Sequence, residues 1–508
     1  MATISGGIAN IIQQVFVPKV EAFRQDISDV WKMISQSARK VSPDSIGQNW
    51  QVIWPFRTGL AGSVDWGSIA GPNMASVSAP GFQMYQDVET WSGLSENPAP
   101  AYVQRTLTLK KPKINFLIPT QLMRAAMLGA SIGDAVEFTI DATALNVANT
   151  MACAFLGGQS ASGGYNGKLG AFTSGASDTI NGSGLTVTLA APSASGEVGT
   201  AFQRFHPGQR VDIFATTSGS VVRINNAGPV FVDVPEPFGT AASPTTGQGT
   251  IKLYTADGNA YSLAATTGYD IVLRNSGREN STNRVPTNLD SVLADNTGTV
   301  FGVSLASYPI LCSMIRDEAG AALSEIKLLK YLAHYQHARG ALHPIDSLVS
   351  TAGVWANFFQ DMLTLGANTN SRIERNGANL KYKGGVESGE APKLGLSFTL
   401  YGKDYNFISD PCVSAQTLYG IKLGGGNWQI VRPPRIPGTK SNPMFPGELE
   451  FLAPLFGGNG IFLPLNQVGG ANAGAITNFM QAPAEMPYEL LPESIPGMKI
   501  TRVGEFYG

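Results

Sequence analysis

Charge is scarce in this chain. Asp, Glu, Lys and Arg make up 14% of its 508 residues, against roughly 25% in ordinary soluble domains. The formal net charge is −2, and the only basic cluster is Lys110, Lys111 and Lys113. A protein that grips nucleic-acid phosphates needs far more positive surface, so tight DNA or RNA binding is excluded. Four histidines and three widely spaced cysteines, Cys153, Cys312 and Cys412, leave no zinc spacing and no paired framework. A reducing compartment during assembly fits that usage. No run is apolar for the roughly 18 residues that a membrane span needs. The start, MATISGGIANIIQQVFVPKVEAF, lacks a basic region ahead of a solid apolar core, so a soluble product that is not secreted is expected. No lysine occurs between Lys40 and Lys110.

Glycine (58) and proline (31) are plentiful. Low charge with many small and apolar residues implies that much of the surface ends against other subunits. A β-rich monomer with a quiet surface is the plainer alternative.

The most telling stretch is 131–157, SIGDAVEFTIDATALNVANTMACAFLG. One apolar row runs through Val136, Ile140, Ala144, Val147, Met151 and Phe155. A second runs through Phe138, Ala142, Leu145, Ala152 and Leu156. Both keep the helical step, so the spacing predicts one long helix buried on two sides. Asp134, Glu137 and Asp141 sit near its start, where acids suit the dipole. A glycine-rich run, GGQSASGGYNGKLGAF, follows at once.

Residues 8–40 show helical spacing at Ile8, Ile11, Ile12, Val15, Val20, Phe23, Ile27, Val30 and Ile34, broken by Pro18. An N-terminal arm lying on something else is expected. Residues 50–109 are rich in Gly and Pro yet not polar. Trp31, Trp50, Trp54, Trp66 and Trp91 fall in or just before them. Disorder needs low hydrophobicity and high charge. An extended aromatic loop covered by a neighbour fits; a packed sheet within one subunit is the alternative. Strands are predicted at Gln51–Phe56, Tyr102–Leu109 and Ile114–Ile118, the last two as a pair, with a short helix opening at Pro119-Thr120. Between 171 and 288, strands are predicted at Leu185–Leu189, Arg210–Ala215, Ser220–Ile224, Val230–Val234, Thr250–Tyr254 and Tyr269–Leu273, reading as a small barrel or sandwich inserted between helical segments.

Helices return after Asp317. Leu323, Ile326, Leu329 and Ala333 form the expected buried stripe of one, ending near Gly340. A strand at Asp346–Val349 precedes another helix with Val354, Phe358, Met362 and Leu365, and Gly366 as its C′ residue. Further strands are expected at Leu394–Leu400, Tyr405–Ser409, Thr417–Leu423 and Gln429–Val431.

Catalytic signals fail one by one. His334 and His337 share a helix, with His343 nearby, but no carboxylate or cysteine is spaced to complete a metal site. His206 sits in a turn beside Pro207. GGYNGK (163–168) resembles a phosphate loop, yet Ser162 and Leu169 stand where glycine and a hydroxyl residue are needed. The SxxK pairs Ser37–Lys40 and Ser324–Lys327 lack their partner motifs. No enzyme, cofactor or metal is expected.

The ordered set of pieces resembles the major capsid proteins of tailed bacteriophages, the HK97-like α+β fold. The resemblance is carried by LGGQSASGGYNGKLGAF (156–172), LDSVLADNTGTVFGVSLASYP (289–309) and HPIDSLVSTAGVWANFFQDM (343–362). It implies an N-terminal arm at 1–46 and an E-loop with its base strands at 47–113. A P-domain at 114–170 would carry the spine helix 131–157. The inserted β-domain at 171–288 would be followed by the P-domain return at 289–316, an A-domain at 317–445 and C-terminal strands at 446–508.

The resemblance implies a virion protein assembled in the host cytoplasm. Pentamers and hexamers would tile an icosahedral head around double-stranded DNA, with a separate scaffold protein, a portal and a cement or decoration protein as partners. Some members cross-link through an E-loop lysine made nucleophilic by desolvation. This chain has none there, so a non-covalent shell is expected. Trp54, Trp66 and Trp91 are the expected aromatic contacts between subunits. Arg57, Lys110, Lys111 and Lys113 are the expected charged ones. The alternatives are an encapsulin-like compartment shell and an extracellular or tail-associated β-rich binding protein.

Overall fold

The computed structural model describes residues 28–41, 50–57, 102–119, 146–157, 167–175, 178–189, 205–215, 222–226, 228–236, 250–255, 258–265, 267–277, 284–339, 343–367, 380–382, 396–400, 403–414, 416–424, 427–433, 440–442, 449–451, 463–464, 479–485, 487–493 and 496–504. They form an α+β structure in which strands far outnumber helices.

Five helices matter here: α1 (Asp29–Ser37), α2 (described over 146–156), α3 (Leu289–Val292), α4 (Glu325–Ala338) and α5 (Ala352–Ala367). The Ser28 hydroxyl caps α1 by accepting from the Trp31 amide at 3.1 Å. Val30, Trp31 and Ile34 are buried in the chain's own main core. In α2, Ala148 and every residue from Met151 to Leu156 are buried. That agrees with the two apolar rows expected there. Phe155 lies between two indoles, 5.9 Å from Trp31 and 5.2 Å from Trp428 by ring centroids. Three sequence-distant segments thus meet on one ring, the edge-and-tilt packing that aromatic quadrupoles favour. The expected helices before residue 28, the Pro119-Thr120 helix and the first half of 131–157 lie outside the described residues.

Most strands between 168 and 273 form one antiparallel sheet in the order Lys168–Thr173, Gly268–Leu273, Arg210–Ala215, Val230–Glu236, Thr250–Thr255, Leu185–Thr188, while Thr179–Ile180 and Tyr261–Ser262 pair separately. Val222–Arg223 pairs with Arg210–Ala215 to one side. The first and last strands meet again through the bridge from Phe172 to Leu189, so the ladder runs round into a ring. Burial along Thr250–Thr255 alternates, as period-2 side-chain geometry demands. Val187, Val211, Ile213, Val230, Val232, Ile251, Leu253 and Ile271 fill the inside. Each contributes about 1.5–3 kcal/mol. The expected strands recur with shifts of a few residues at their ends.

A second, mixed seven-stranded sheet runs Met314–Asp317, Met498–Thr501, Leu418–Ile421, Ser347–Ser350, Lys403–Ser409, Leu396–Leu400, Leu380–Tyr382. Helices α4 and α5 pack on it through Leu328, Leu332, Tyr335, Val354, Trp355 and Phe358. Trp355 fixes the register of α5 by donating its indole N–H to the Ile408 carbonyl at 2.8 Å.

Three expectations are corrected. The strands Tyr102–Thr108 and Lys113–Pro119 do not pair with each other. The first pairs with Gln51–Arg57 and the second with Phe479–Glu485. Between them Lys110 exchanges both backbone hydrogen bonds with Tyr488, which hands the chain from one sheet to the other. The fully buried stripe of α4 is Leu328, Leu332 and Tyr335; of the expected residues Leu323 is buried in the same core and Leu329 packs against it, while Ile326 is 61% exposed. The Tyr335 hydroxyl anchors this face, with its single proton within hydrogen-bond reach of the carbonyls of His343 (2.8 Å) and Pro496 (3.0 Å). Gly366 does not end α5, which runs to Ala367.

Candidate subunit interface

The pair Gln51–Arg57 and Tyr102–Thr108 is built on period-2 alternation. Val52, Leu107 and Leu109 point inward against Val431 and Leu491, with Trp54 packed on the same cluster. Arg105, opposite Trp54, is buried too, and desolvation lowers its pKa to about 10. The outward face carries Gln51, Ile53, Pro55, Gln104 and Thr106. Ile53 is 63% exposed and Trp50, at the entry, 40% exposed. Trp50 sits at φ 59, a left-handed conformation that costs a non-glycine residue roughly 1–2 kcal/mol. It is held there by the Leu109 amide, which donates to its carbonyl at 2.9 Å. The outer edge of Tyr102–Thr108 is braced by a donation from the Thr106 amide to the Phe301 carbonyl at 3.0 Å.

The charged residues beneath this pair find acids within the chain. Lys111 is 2.6 Å from Glu485, and its ammonium lies 5.1 Å from the Trp50 ring centroid. Lys110 has a lowered pKa from desolvation, opposed by the charge of Glu489. Glu489 is fully buried and accepts from the Thr287 amide at 2.8 Å. Burial pushes its pKa up to about 7. Both acids, Glu485 and Glu489, belong to the same chain. Lys113 is exposed, with its backbone paired to Glu485.

The expected contact residues fall into three groups. Trp54 is half-buried in the strand. Arg57 ends that strand, its backbone opposite Tyr102. Trp66 and Trp91 lie outside the described residues. Sequence reasoning missed Ile53, although its place between Val52 and Trp54 in an alternating strand already puts it on the opposite face. It also grouped Trp31 with the aromatic loop, whereas Trp31 is a core residue of the chain itself.

A second polar junction anchors α1. The buried carboxylate of Asp410 accepts from the Ser28 hydroxyl, from the Val30 amide at 3.1 Å and from the Cys412 amide at 2.9 Å. Burial raises its pKa to about 6 against those hydrogen bonds. His206 stands in its expected turn, 2.6 Å from Asn146 of α2, and burial lowers its pKa to about 4.

Among the described residues no group of three or more His, Cys, Asp or Glu is placed to hold a metal. His334 Nδ1 instead lies 3.1 Å from the Arg316 guanidinium. No helix among the described residues is long and apolar enough to cross a membrane.

No protein-family model and no curated protein matches the chain. Solved structures similar to it include the capsid asymmetric unit of cyanophage A-1(L), at 8% identity, 96% of each chain covered and TM-score 0.44. Another is Mycobacterium phage Adephagia, at 8% identity, 98% of this chain and 96% of that one covered and TM-score 0.34. The SrpI encapsulin complex of Synechococcus elongatus PCC 7942 matches at 9% identity over 38% of this chain and 53% of its own, with TM-score 0.21.

Proposed function

We propose that the chain is a structural protein, the HK97-like major capsid subunit of a tailed phage, and not an enzyme. The observation that supports this reading best is the exposed isoleucine on the outward face of the Gln51–Arg57 strand. Ile53, 63% exposed, and Trp50 stand at the base of a segment that also carries Trp66 and Trp91. The resemblance of 156–172, 289–309 and 343–362 to that family supports it independently.

In this reading 47–113 is the E-loop with its base strands, and it lies over a neighbouring subunit. Trp66 and Trp91 bury there, each contributing about 1.5–3 kcal/mol on full burial, while Trp54 already packs on the chain's own Val431 and Leu491. Arg57 and Lys113 meet acids of the next copy at the rim, where a pair is worth at most about 1 kcal/mol and sets register more than strength. Residues 131–157 form the spine helix of the P-domain, and the 168–273 ring is the core of an added domain projecting outward. Pentamers and hexamers close an icosahedral head around double-stranded DNA without sequence-specific contact, a role that suits a net charge of −2. A separate scaffold, a portal and a cement protein complete the assembly in the host cytoplasm.

Electron microscopy of the purified, concentrated chain tests the reading. Rings or closed shells are expected; single small particles at every concentration would refute it. The lysine-free interval from 41 to 109 further predicts that boiled particles run as a single subunit band in denaturing electrophoresis. A ladder of covalent multimers would contradict the non-covalent shell.

A further inference from the structure

Two cysteines that are 259 positions apart in sequence meet in the main core. Cys153 Sγ on α2 lies 3.2 Å from Cys412 Sγ, and both residues are buried. A disulfide has its sulfurs about 2.05 Å apart, so closing the bond asks for a relative shift of only about 1 Å. The two backbones are held from different sides. The Cys153 carbonyl accepts from the Gly157 amide at 2.8 Å in the last turn of α2. The Cys412 amide donates to Asp410 at 2.9 Å, in the turn that also grips Ser28 at the start of α1. Cys312 belongs to a separate cluster, beside Leu305.

The geometry points to Cys153 and Cys412 as an oxidisable thiol pair, reduced while the chain is made and closed into an intrachain disulfide by a small peroxide. One sulfur attacks a peroxide oxygen, the O–O bond breaks, and a sulfenic acid and one water result. The second sulfur attacks the sulfenic sulfur, the S–S bond forms, the S–O bond breaks, and a second water leaves. Two thiols and one hydrogen peroxide thus become one disulfide and two waters, and the thiols supply both electrons. Peroxide is small enough to enter where glutathione is not. The closed bond staples the end of α2 to the turn that anchors α1. It acts within one subunit and does not depend on the assembly reading.

The test uses the folded full-length chain. It is treated with hydrogen peroxide, quenched with catalase, denatured in an alkylating agent, digested without reductant and analysed by mass spectrometry. A linked pair of peptides containing Cys153 and Cys412 is expected, two hydrogens lighter than their sum and separated by reductant, with Cys312 outside the link. The linked chain should melt higher by on the order of 5 °C, since a cross-link constrains the unfolded chain, and reductant should reverse the rise. Full alkylation of Cys153 and Cys412, oxidation of either without a link, or links to Cys312 would each overturn the assignment. The measurement needs no substitution; Cys412→Ser, where it folds, should abolish the linked peptide.

Discussion

The 168–273 ring and the Gln51–Arg57/Tyr102–Thr108 pair are both antiparallel ladders, yet they end in opposite conditions. The ring turns its apolar residues inward and meets itself at Phe172 and Leu189. Among its described large apolar side chains only Val222 is exposed. The two-stranded pair also buries one face, on Val431 and Leu491, but its other face offers Ile53 to solvent. A closed ladder removes its own edges and hides its own apolar surface. An open pair of strands is marginal by itself, and this one rests on the cluster with Val431 and Leu491. Residues such as Ile213 stabilise the subunit, whereas Ile53 is free of that duty and is the residue proposed to serve contact with another copy.

The largest effect is expected inside the ring. Ile213→Ala leaves a cavity in a filled interior and should cost about 2–5 kcal/mol in denaturant unfolding of the subunit. A cost under about 1 kcal/mol would mean that the ring is not a packed core.

The floor under the open pair should respond to pH through Glu489. Its carboxyl is raised from 4.5 to about 7 in the fold. Its stabilising contribution is therefore full below pH 4.5 and is lost as pH rises through about 7, by up to about 3 kcal/mol. Unfolding free energies of Glu489→Gln and the native chain, measured from about pH 4 to 8, should diverge in that sense; parallel profiles would remove Glu489 from the account.

For the proposed contact residues the expectation reverses. Ile53→Asp and Trp66→Ala should leave subunit stability within about 0.5 kcal/mol, while association weakens by about 1.5–3 kcal/mol for each apolar side chain taken out of the interface. Comparing unfolding curves with assembly yield separates the two effects. Normal particles from both variants would dissolve the contrast between the ladders. The smallest effect belongs to Lys111→Ala. It removes a partly exposed ion pair with Glu485 and the approach to Trp50, and should cost at most about 1 kcal/mol with marked salt dependence.

Local periodicity carried much of the fold. Arg210–Ala215 and Gly268–Leu273 are legible because branched and aromatic residues are bounded by turn residues, and α2 because its apolar rows repeat at helical spacing. Partnership was not legible. Nothing near Lys113–Pro119 announces that its partner is Phe479–Glu485, because a strand's pattern gives its faces but not its neighbour. Nor does the α4 sequence EIKLLKYLAHYQHA single out one face, since apolar residues occur on several sides of it. The choice falls to Tyr335, whose hydroxyl finds two distant carbonyls. The Cys153–Cys412 approach and the clasp of Asp410 on Ser28 are likewise products of tertiary packing across hundreds of residues. For the interface, the aromatic wealth of 50–109 was visible, but which residues face outward required the register with Tyr102–Thr108.

Sedimentation velocity of the native chain beside Ile53→Asp, across a hundredfold concentration range, tests the central claim most directly. The account predicts large closed species for the native chain and folded, subunit-sized material for the variant. A native chain that sediments as one folded monomer throughout would contradict it.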